Sequence, residues 1–264
     1  MIAAALRWLY HSVVPLVVRR TLRLTRFTAS RRARAGLWRR TGGRVAAGPF
    51  RGLRLQATTA GDCEAPVLLG SYECETHEWL EREVARSWAT VVNVGSNSGF
   101  YSSGLALRLP RAIVYAFEMD DALRAETAKS ADTNGVAGRV HALGTANPVA
   151  LAALPITGAL VVCDCEGCER DLLDPALVPW LARSAILVEL HDFAAAGATD
   201  TIRTRFLPTH DIAIVEQGPR DVSAWAVRAG IDVRDAAILS EEPRHWNGAV
   251  LPGRWMLLSP RAMP

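Results

Sequence analysis

The chain holds one lysine, Lys129, among 264 residues, and no aspartate or glutamate in its first 60. Thirteen arginines occupy that acid-free stretch, which leaves 17 Lys+Arg against 27 Asp+Glu in the remaining 204 residues. The sequence therefore reads as a basic arm joined to an acidic body. No uninterrupted run of about 20 apolar residues occurs, because Arg7, His11 and Pro15 break the apolar stretch Met1–Val18; a confident spanning helix is excluded there. No Gly-Lys-Ser/Thr occurs, which excludes a Walker loop, and no Gly-x-Gly-x-x-Gly occurs, which argues against a dinucleotide fold. Cysteines number five, an odd count in a long chain, so a secreted disulfide scaffold is not expected and a reducing cytoplasm is.

Half of the residues are apolar and 22% are charged, enough to bury a sizeable core and too few to keep the chain disordered. Heavy use of Arg and Ala fits a GC-rich bacterial genome. Within the arm, Ile2, Leu6, Leu9, Val13, Leu16 and Val17 recur at helical spacing, and Arg19, Arg20, Arg23 and Arg26 follow. That pattern suits either a helix packed on the body or peripheral contact of residues 1–26 with an anionic membrane surface. Residues 1–62 are expected as a basic N-terminal helical arm and linker with one short hairpin, and 63–264 as the folded domain. Thr76 is expected to cap a helix running to Trp88.

From Thr90 onward, β-branched runs alternate with helical patterns. Strands are expected at Thr90–Val94, Ala112–Phe117, Arg139–Leu143, Ala159–Asp164, Ala185–Leu190, Asp211–Val215 and Arg254–Leu258. Helices are expected at Gly99–Leu107, Asp121–Asp132, Pro175–Arg183 and Thr199–Phe206. Such alternation specifies an α/β fold, a mostly parallel sheet covered on both faces, with ligands at the carboxyl ends of its strands.

The most informative stretch is Val91–Tyr101, a strand entering a glycine turn and then a helix. Gly95 permits a sharp turn, and Gly99 opens the helix, whose first N–H groups are free to meet a ligand. Ser96, Asn97, Phe100 and Tyr101 complete the expected cofactor loop. The spacing Gly-x-x-x-Gly lacks the middle glycine that pyrophosphate needs; an adenosyl sulfonium needs no such contact. Glu118 ends the next strand 23 residues after Gly95, the interval for an acid whose two oxygens accept both ribose hydroxyls.

Two acidic strand ends follow. Asp164 and Glu166 lie in Cys163-Asp164-Cys165-Glu166-Gly167-Cys168-Glu169, and they share a face only if the strand continues. Glu189 and His191 alternate onto one face of the fifth strand, where a carboxylate can orient an imidazole for proton transfer. Thr209-His210-Asp211 is a weaker pattern of the same kind on the substrate side. Cys-x-Cys-x-x-Cys evokes zinc, but no fourth ligand lies near in sequence, so these cysteines are read as small residues around a turn and no metal is expected.

Together, Val91–Ser102, Tyr115–Asp120, Asn134–Val136, Asp164–Pro175 and Ile186–Phe193 resemble the FkbM-like branch of class I methyltransferases, over about Gly70 to Leu258. The resemblance implies a Rossmann-like, seven-stranded sheet, S-adenosyl-L-methionine as donor, and O-methylation of sugars or other small metabolites. It implies that Gly95, Ser96, Asn97, Gly99 and Glu118 hold the cofactor and that Asp164 lies beside the methyl-transfer centre. Asn93 departs from the pattern, since many relatives carry Asp there, and so does Cys168. The expected activity is methyl transfer to a small-molecule or glycan acceptor, with Asp164, Glu189 and His191 as catalytic residues. Two alternatives are an NAD-dependent Rossmann oxidoreductase and a membrane-docked binding protein with a vestigial site. Nucleic acid is not an expected partner: aromatics are sparse in the arm and no Asn-Pro-Pro-Tyr occurs.

Overall fold

The computed structural model describes residues 30–56, 64–241, 245–246, 249–250 and 253–261. The apolar segment Met1–Val18 and the arginines that follow lie outside these residues.

Seven strands form one sheet: β1 (Thr90–Val94), β2 (Ile113–Phe117), β3 (Val140–Leu143), β4 (Leu160–Cys163), β5 (Ala185–Glu189), β6 (His210–Glu216) and β7 (Arg254–Pro260). Their order is 3-2-1-4-5-7-6. The pairings β1–β2, β1–β4, β2–β3 and β4–β5 are parallel, while β7 inserts antiparallel between β5 and β6. The expected seven-stranded, mostly parallel sheet is what forms. The strand order reverses between β1 and β4, and the crevice at their carboxyl ends is where an open α/β sheet binds ligands.

Alternation along the strands explains the two cores. Val91, Val114, Val162 and Leu187 point into one apolar cluster, and Val92, Val94, Val161, Cys163, Ile186 and Val188 into the other. All are buried, as a sheet covered on both faces requires.

Helices α1 (Phe100–Arg108) and α2 (Asp121–Thr133) follow β1 and β2. Asp120 caps α2 by accepting from Ala122 N at 2.8 Å and Leu123 N at 3.0 Å. Such a cap stabilises a helix by about 1 kcal/mol.

Three local expectations are corrected. The helix after Thr76 is His77–Ala85, ending before Trp88, because Ser87 adopts a left-handed backbone with φ 58°. Thr76 does not cap it; its hydroxyl donates to Glu73 O at 2.9 Å. The segment Pro175–Arg183 is helical only as a 3-10 turn, Pro179–Arg183, since Asp174 turns the chain by accepting from Ala176 N. Residues 30–41, within the stretch expected as helical arm and linker, are helical. Two helices between β6 and β7, Val222–Ala229 and Val233–Leu239, had no counterpart in the sequence reading; Asp221 and Asp232 cap them.

Residues 43–55 close a short turn, with Arg44 bridging Arg54, and Val45, Phe50 and Leu53 enter the core beneath the sheet. Leu37 packs with Leu68, Leu69, Trp225 and Leu239 in a third cluster, each at 4% exposure or less. Burying a leucine of this kind contributes about 2 kcal/mol. No helix among the described residues is long and apolar enough to cross a membrane.

Candidate functional site

The carboxyl ends of β1, β2, β4 and β5 bring together residues that are 71 to 96 positions apart, from Gly95 and Glu118 to Glu189 and His191. The turn after β1 is locked on both sides. Gly95 N and Ser96 N both donate to Phe117 O at 2.9 Å, and Asp164 N donates to Val94 O at 2.9 Å. Gly95 has φ 76°, and a Cβ there would sit 1.6 Å from Asp164 O. The glycine is thus needed for the β1 and β4 loops to touch. Gly99, at φ 86°, lies against Thr127 of α2 in the same way, more loosely.

Hydroxyls and a carboxylate finish the loop. Thr127 Oγ1 donates to Asn97 O at 2.6 Å and lies 3.1 Å from Ser96 Oγ. Asn97, with φ 48°, takes the left-handed region that Asn tolerates better than most residues. Glu118 is 8% exposed, and its two oxygens are each held by one backbone N–H: Oε2 by Asn97 N at 2.9 Å and Oε1 by Asp120 N at 3.0 Å. The acid is therefore oriented toward the loop while keeping further lone pairs.

Phe100 and Tyr101 open α1 and pack against the apolar cluster around Phe50. Phe100 packs edge-on against Phe50 at 5.1 Å and Tyr72 at 5.8 Å. Tyr101 donates its hydroxyl to Glu73 Oε2 at 2.5 Å. Asn93 is buried and turned inward: its Nδ2 donates to Ser102 Oγ of α1 at 2.8 Å.

The strand-end acids form a second constellation. β4 stops at Cys163, so Asp164 and Glu166 belong to a turn, in which Glu166 has φ 57° and Gly167 φ 116°. Asp164 is part-exposed and Glu166 exposed. His191 is 4% exposed, and its Nδ1–H donates to Glu169 Oε1 at 2.8 Å. The same oxygen accepts from Cys165 N and Gly167 N at 3.1 Å each, so one buried carboxylate holds both the ring and the turn. Glu189 does not make that contact. Its Oε2 lies 3.8 Å from His191 Nε2, with Asp164 Oδ1 at 3.7 Å and Glu166 Oε2 at 3.5 Å.

Burial opposes charge on His191, but the bond to Glu169 and the facing carboxylates of Asp164 and Glu166 outweigh it and raise its pKa. Burial pushes the Glu169 carboxyl up, yet the His191 hydrogen bond and backbone donors bring it below its ordinary value.

Two residues escaped the sequence reading. Glu73 is fully buried, strained at φ 49°, and offers an oxygen within 4.8 Å of those of Asp164 and Glu189. It lies 17 residues before β1, where no periodicity marks it. Glu169 was visible inside the acidic block, but nothing in the spacing tied it to His191.

His210 is removed from the site. It is fully buried on β6, donates from Nε2 to Ser184 O at 2.8 Å, and packs on Phe206. Burial pushes its pKa down. It is a core histidine, and the substrate-side reading of Thr209–Asp211 is withdrawn. Cys163 and Cys165 place their sulfurs 3.9 Å apart and Cys168 is exposed. The clustered ligand groups among the described residues are carboxylates and one imidazole, without a cysteine. Hydrogen bonding to Cys163 and burial raise the Cys165 thiol far above its usual range.

No protein-family model and no curated protein matches the chain. Several solved structures are similar in fold. The O-methyltransferase TomG from Streptomyces achromogenes in complex with SAM is 12% identical, over 88% of this chain and 89% of that one, with a TM-score of 0.44. A putative O-methyltransferase from Klebsiella pneumoniae is 13% identical, over 97% and 96%, with a TM-score of 0.44. The METTL16 MTase domain is 14% identical, over 87% and 78%, with a TM-score of 0.48. At such identities the residue roles must come from this chain's own geometry.

Proposed function

We propose that the chain is an S-adenosylmethionine-dependent methyltransferase acting on an oxygen of a small-molecule or glycan acceptor. The observation that carries this reading is Glu118, a nearly buried carboxylate fixed between Asn97 N and Asp120 N beside the switch point of the sheet. Its remaining lone pairs suit two ribose hydroxyls, and the loop lacks the glycine that a pyrophosphate would need. The buried oxygens of Glu73, Asp164 and Glu189, within 4.8 Å of one another, suit the cationic end of the same ligand. These residues fit the cofactor.

When bound, S-adenosylmethionine supplies an electrophilic methyl group on sulfur. The chain's own part is positioning: Gly95, Ser96, Asn97 and Gly99 shape the loop, with Phe100 and Tyr101 following it at the start of α1, and alignment supplies most of the acceleration. Asp164, Glu189 and His191 orient the acceptor hydroxyl and ease the loss of its proton. Residues 1–26 add peripheral contact with an anionic membrane.

Isothermal titration with S-adenosylmethionine and, separately, NAD tests the cofactor. Saturable heat with the former alone is expected; binding of NAD and no heat with S-adenosylmethionine would falsify the reading. Removal of residues 1–26 is expected to reduce pelleting with anionic liposomes, and unchanged pelleting would refute that contact.

A further inference from the structure

The short turn at residues 43–55 sets two arginines face to face. Arg44 and Arg54 form an antiparallel bridge. Val45 N donates to Leu53 O at 2.9 Å, and Leu55 N donates to Gly43 O at 2.8 Å. These bonds flank the bridge and do not join its two residues, so Arg44 and Arg54 are a non-hydrogen-bonded pair. In such a pair the Cα atoms lie about 4.5 Å apart and the side chains approach most closely. Like charges directly opposite one another are destabilising. Both arginines are exposed, as is Arg51 between them, and none of the three has an ion-pair partner among the described residues.

From this placement we infer that Arg44, Arg51 and Arg54 form a docking surface for the phosphate headgroups of an anionic lipid membrane. A guanidinium matches a phosphate through paired N–H donors, and two set opposite each other repel until an anion lies between them. Arg44 Nη1 donates to Gly52 O at 2.8 Å, which orients the group and leaves further N–H donors for a ligand. The backbone behind these side chains is held on two sides. Val45, Phe50 and Leu53 are buried in the core. Asn134 clamps Arg54, its Oδ1 accepting from Arg54 N at 2.8 Å and its Nδ2 donating to Arg54 O at 3.0 Å. The charges are thus presented on a turn that needs little further ordering to bind.

The rest of the chain favours lipid over nucleic acid as the occupant. Residues 1–43 carry ten arginines and no acid, and their first 18 have the apolar spacing that suits a membrane surface. Single-stranded nucleic acid would be held by aromatic rings on which its bases stack, and the one aromatic side chain between Arg44 and Arg54, Phe50, is 4% exposed. Each arginine near an anionic leaflet adds to the attraction, which fades within a Debye length. The inference adds a surface of the folded body to the contact proposed for residues 1–26, and it rests on that contact for the choice of lipid.

The test is sedimentation of the full chain with phosphatidylcholine vesicles, with and without phosphatidylglycerol. Partitioning onto the anionic vesicles alone is expected. Joint Arg44→Ala and Arg54→Ala substitution should weaken it at least 10-fold, at about 5-fold per arginine, and Arg51→Ala added to the pair should weaken it further. Arg203→Ala removes the same charge from an exposed position on the helix Ala198–Phe206, which packs on the other apolar cluster, and should leave partitioning nearly unchanged. The doubly substituted chain should keep the wild-type urea midpoint, because it loses a repulsion and no buried contact, so its weaker partitioning reports the surface and not the fold. Undiminished partitioning of that chain, or an equal loss in Arg203→Ala, overturns the surface. Preference of the wild type for single-stranded RNA over anionic vesicles overturns the lipid assignment. Removal of residues 1–26 separates the two contacts: loss on removal alone refutes the arginine pair and leaves the arm, and loss in the doubly substituted chain alone refutes the arm and leaves the pair.

Discussion

The amide of Asn97 donates to Glu118 Oε2 at 2.9 Å, tying the end of β2 to the loop after β1. With Asp120 N on Oε1, the carboxylate holds its position through backbone contacts alone. Hydrogen bonds to a charged group contribute about 1.5–3 kcal/mol each. Glu118→Ala should therefore weaken S-adenosylmethionine at least 10-fold by calorimetry, since about 1.4 kcal/mol is tenfold in affinity. Glu118→Gln should lose less, because one acceptor oxygen remains. Undiminished affinity in both variants would remove Glu118 from the cofactor site.

Gly95 and Gly144 make a matched pair. A Cβ at Gly95 would overlap Asp164 O at 1.6 Å, whereas the nearest atom to one at Gly144 is Arg124 Nη1 at 3.9 Å. Gly95→Ala must push β1 and β4 apart and also strain a backbone at φ 76°. A loss above about 4 kcal/mol, or failure to fold, is expected in urea denaturation. Gly144→Ala should stay within about 0.5 kcal/mol of wild type. Similar midpoints for the two variants would show that the β1–β4 contact yields easily.

How far the sequence foretold this site depends on whether the signal was local. β1 and its glycine turn were legible because β-branched residues, Gly95 and Gly99 are consecutive, and β1 forms over the expected Thr90–Val94. The helix expected over Asp121–Asp132 forms as α2, Asp121–Thr133, for the same reason. Glu73 and Glu169 act through contacts with Tyr101 and His191, 28 and 22 residues away, which no periodicity encodes. Pairing Glu189 with His191 followed strand alternation correctly as to face, but the close partner came from the turn after β4. The helices at 222–239 were missed because their apolar stripes are short and pack on the N-terminal segments, through Trp225 and Leu239.

Asn93 answers to α1. Its Nδ2 reaches Ser102 Oγ at 2.8 Å, and both side chains are buried. Asn93→Ala leaves that hydroxyl unmatched and should cost about 1–3 kcal/mol, read as a lower urea midpoint. Asn93→Asp should cost less, because the Ser102 hydroxyl can rotate and donate to the new carboxylate. An Ala variant as stable as wild type would mean that this buried pair does not anchor α1 to β1.

His77 sets an acid limit on stability. Its Nε2–H donates to Tyr72 O at 2.9 Å, and its ring meets Trp225 edge-on at 6.0 Å. Burial lowers its pKa from 6.5 to about 4; Arg220 and Arg228 add to the fall, while the Tyr72 carbonyl and Glu81 oppose it. The folded chain thus keeps the ring neutral where the unfolded chain protonates it. The sign follows: this contribution is present above pH 6.5 and is lost as pH falls toward 4. A shift of this size corresponds to about 3 kcal/mol at its lower end. Thermal melts of wild type and His77→Gln between pH 7.5 and 4 should converge as the pH drops, since glutamine can donate to Tyr72 O without titrating. A constant gap between the two melting curves across that range would assign the acid sensitivity to other groups.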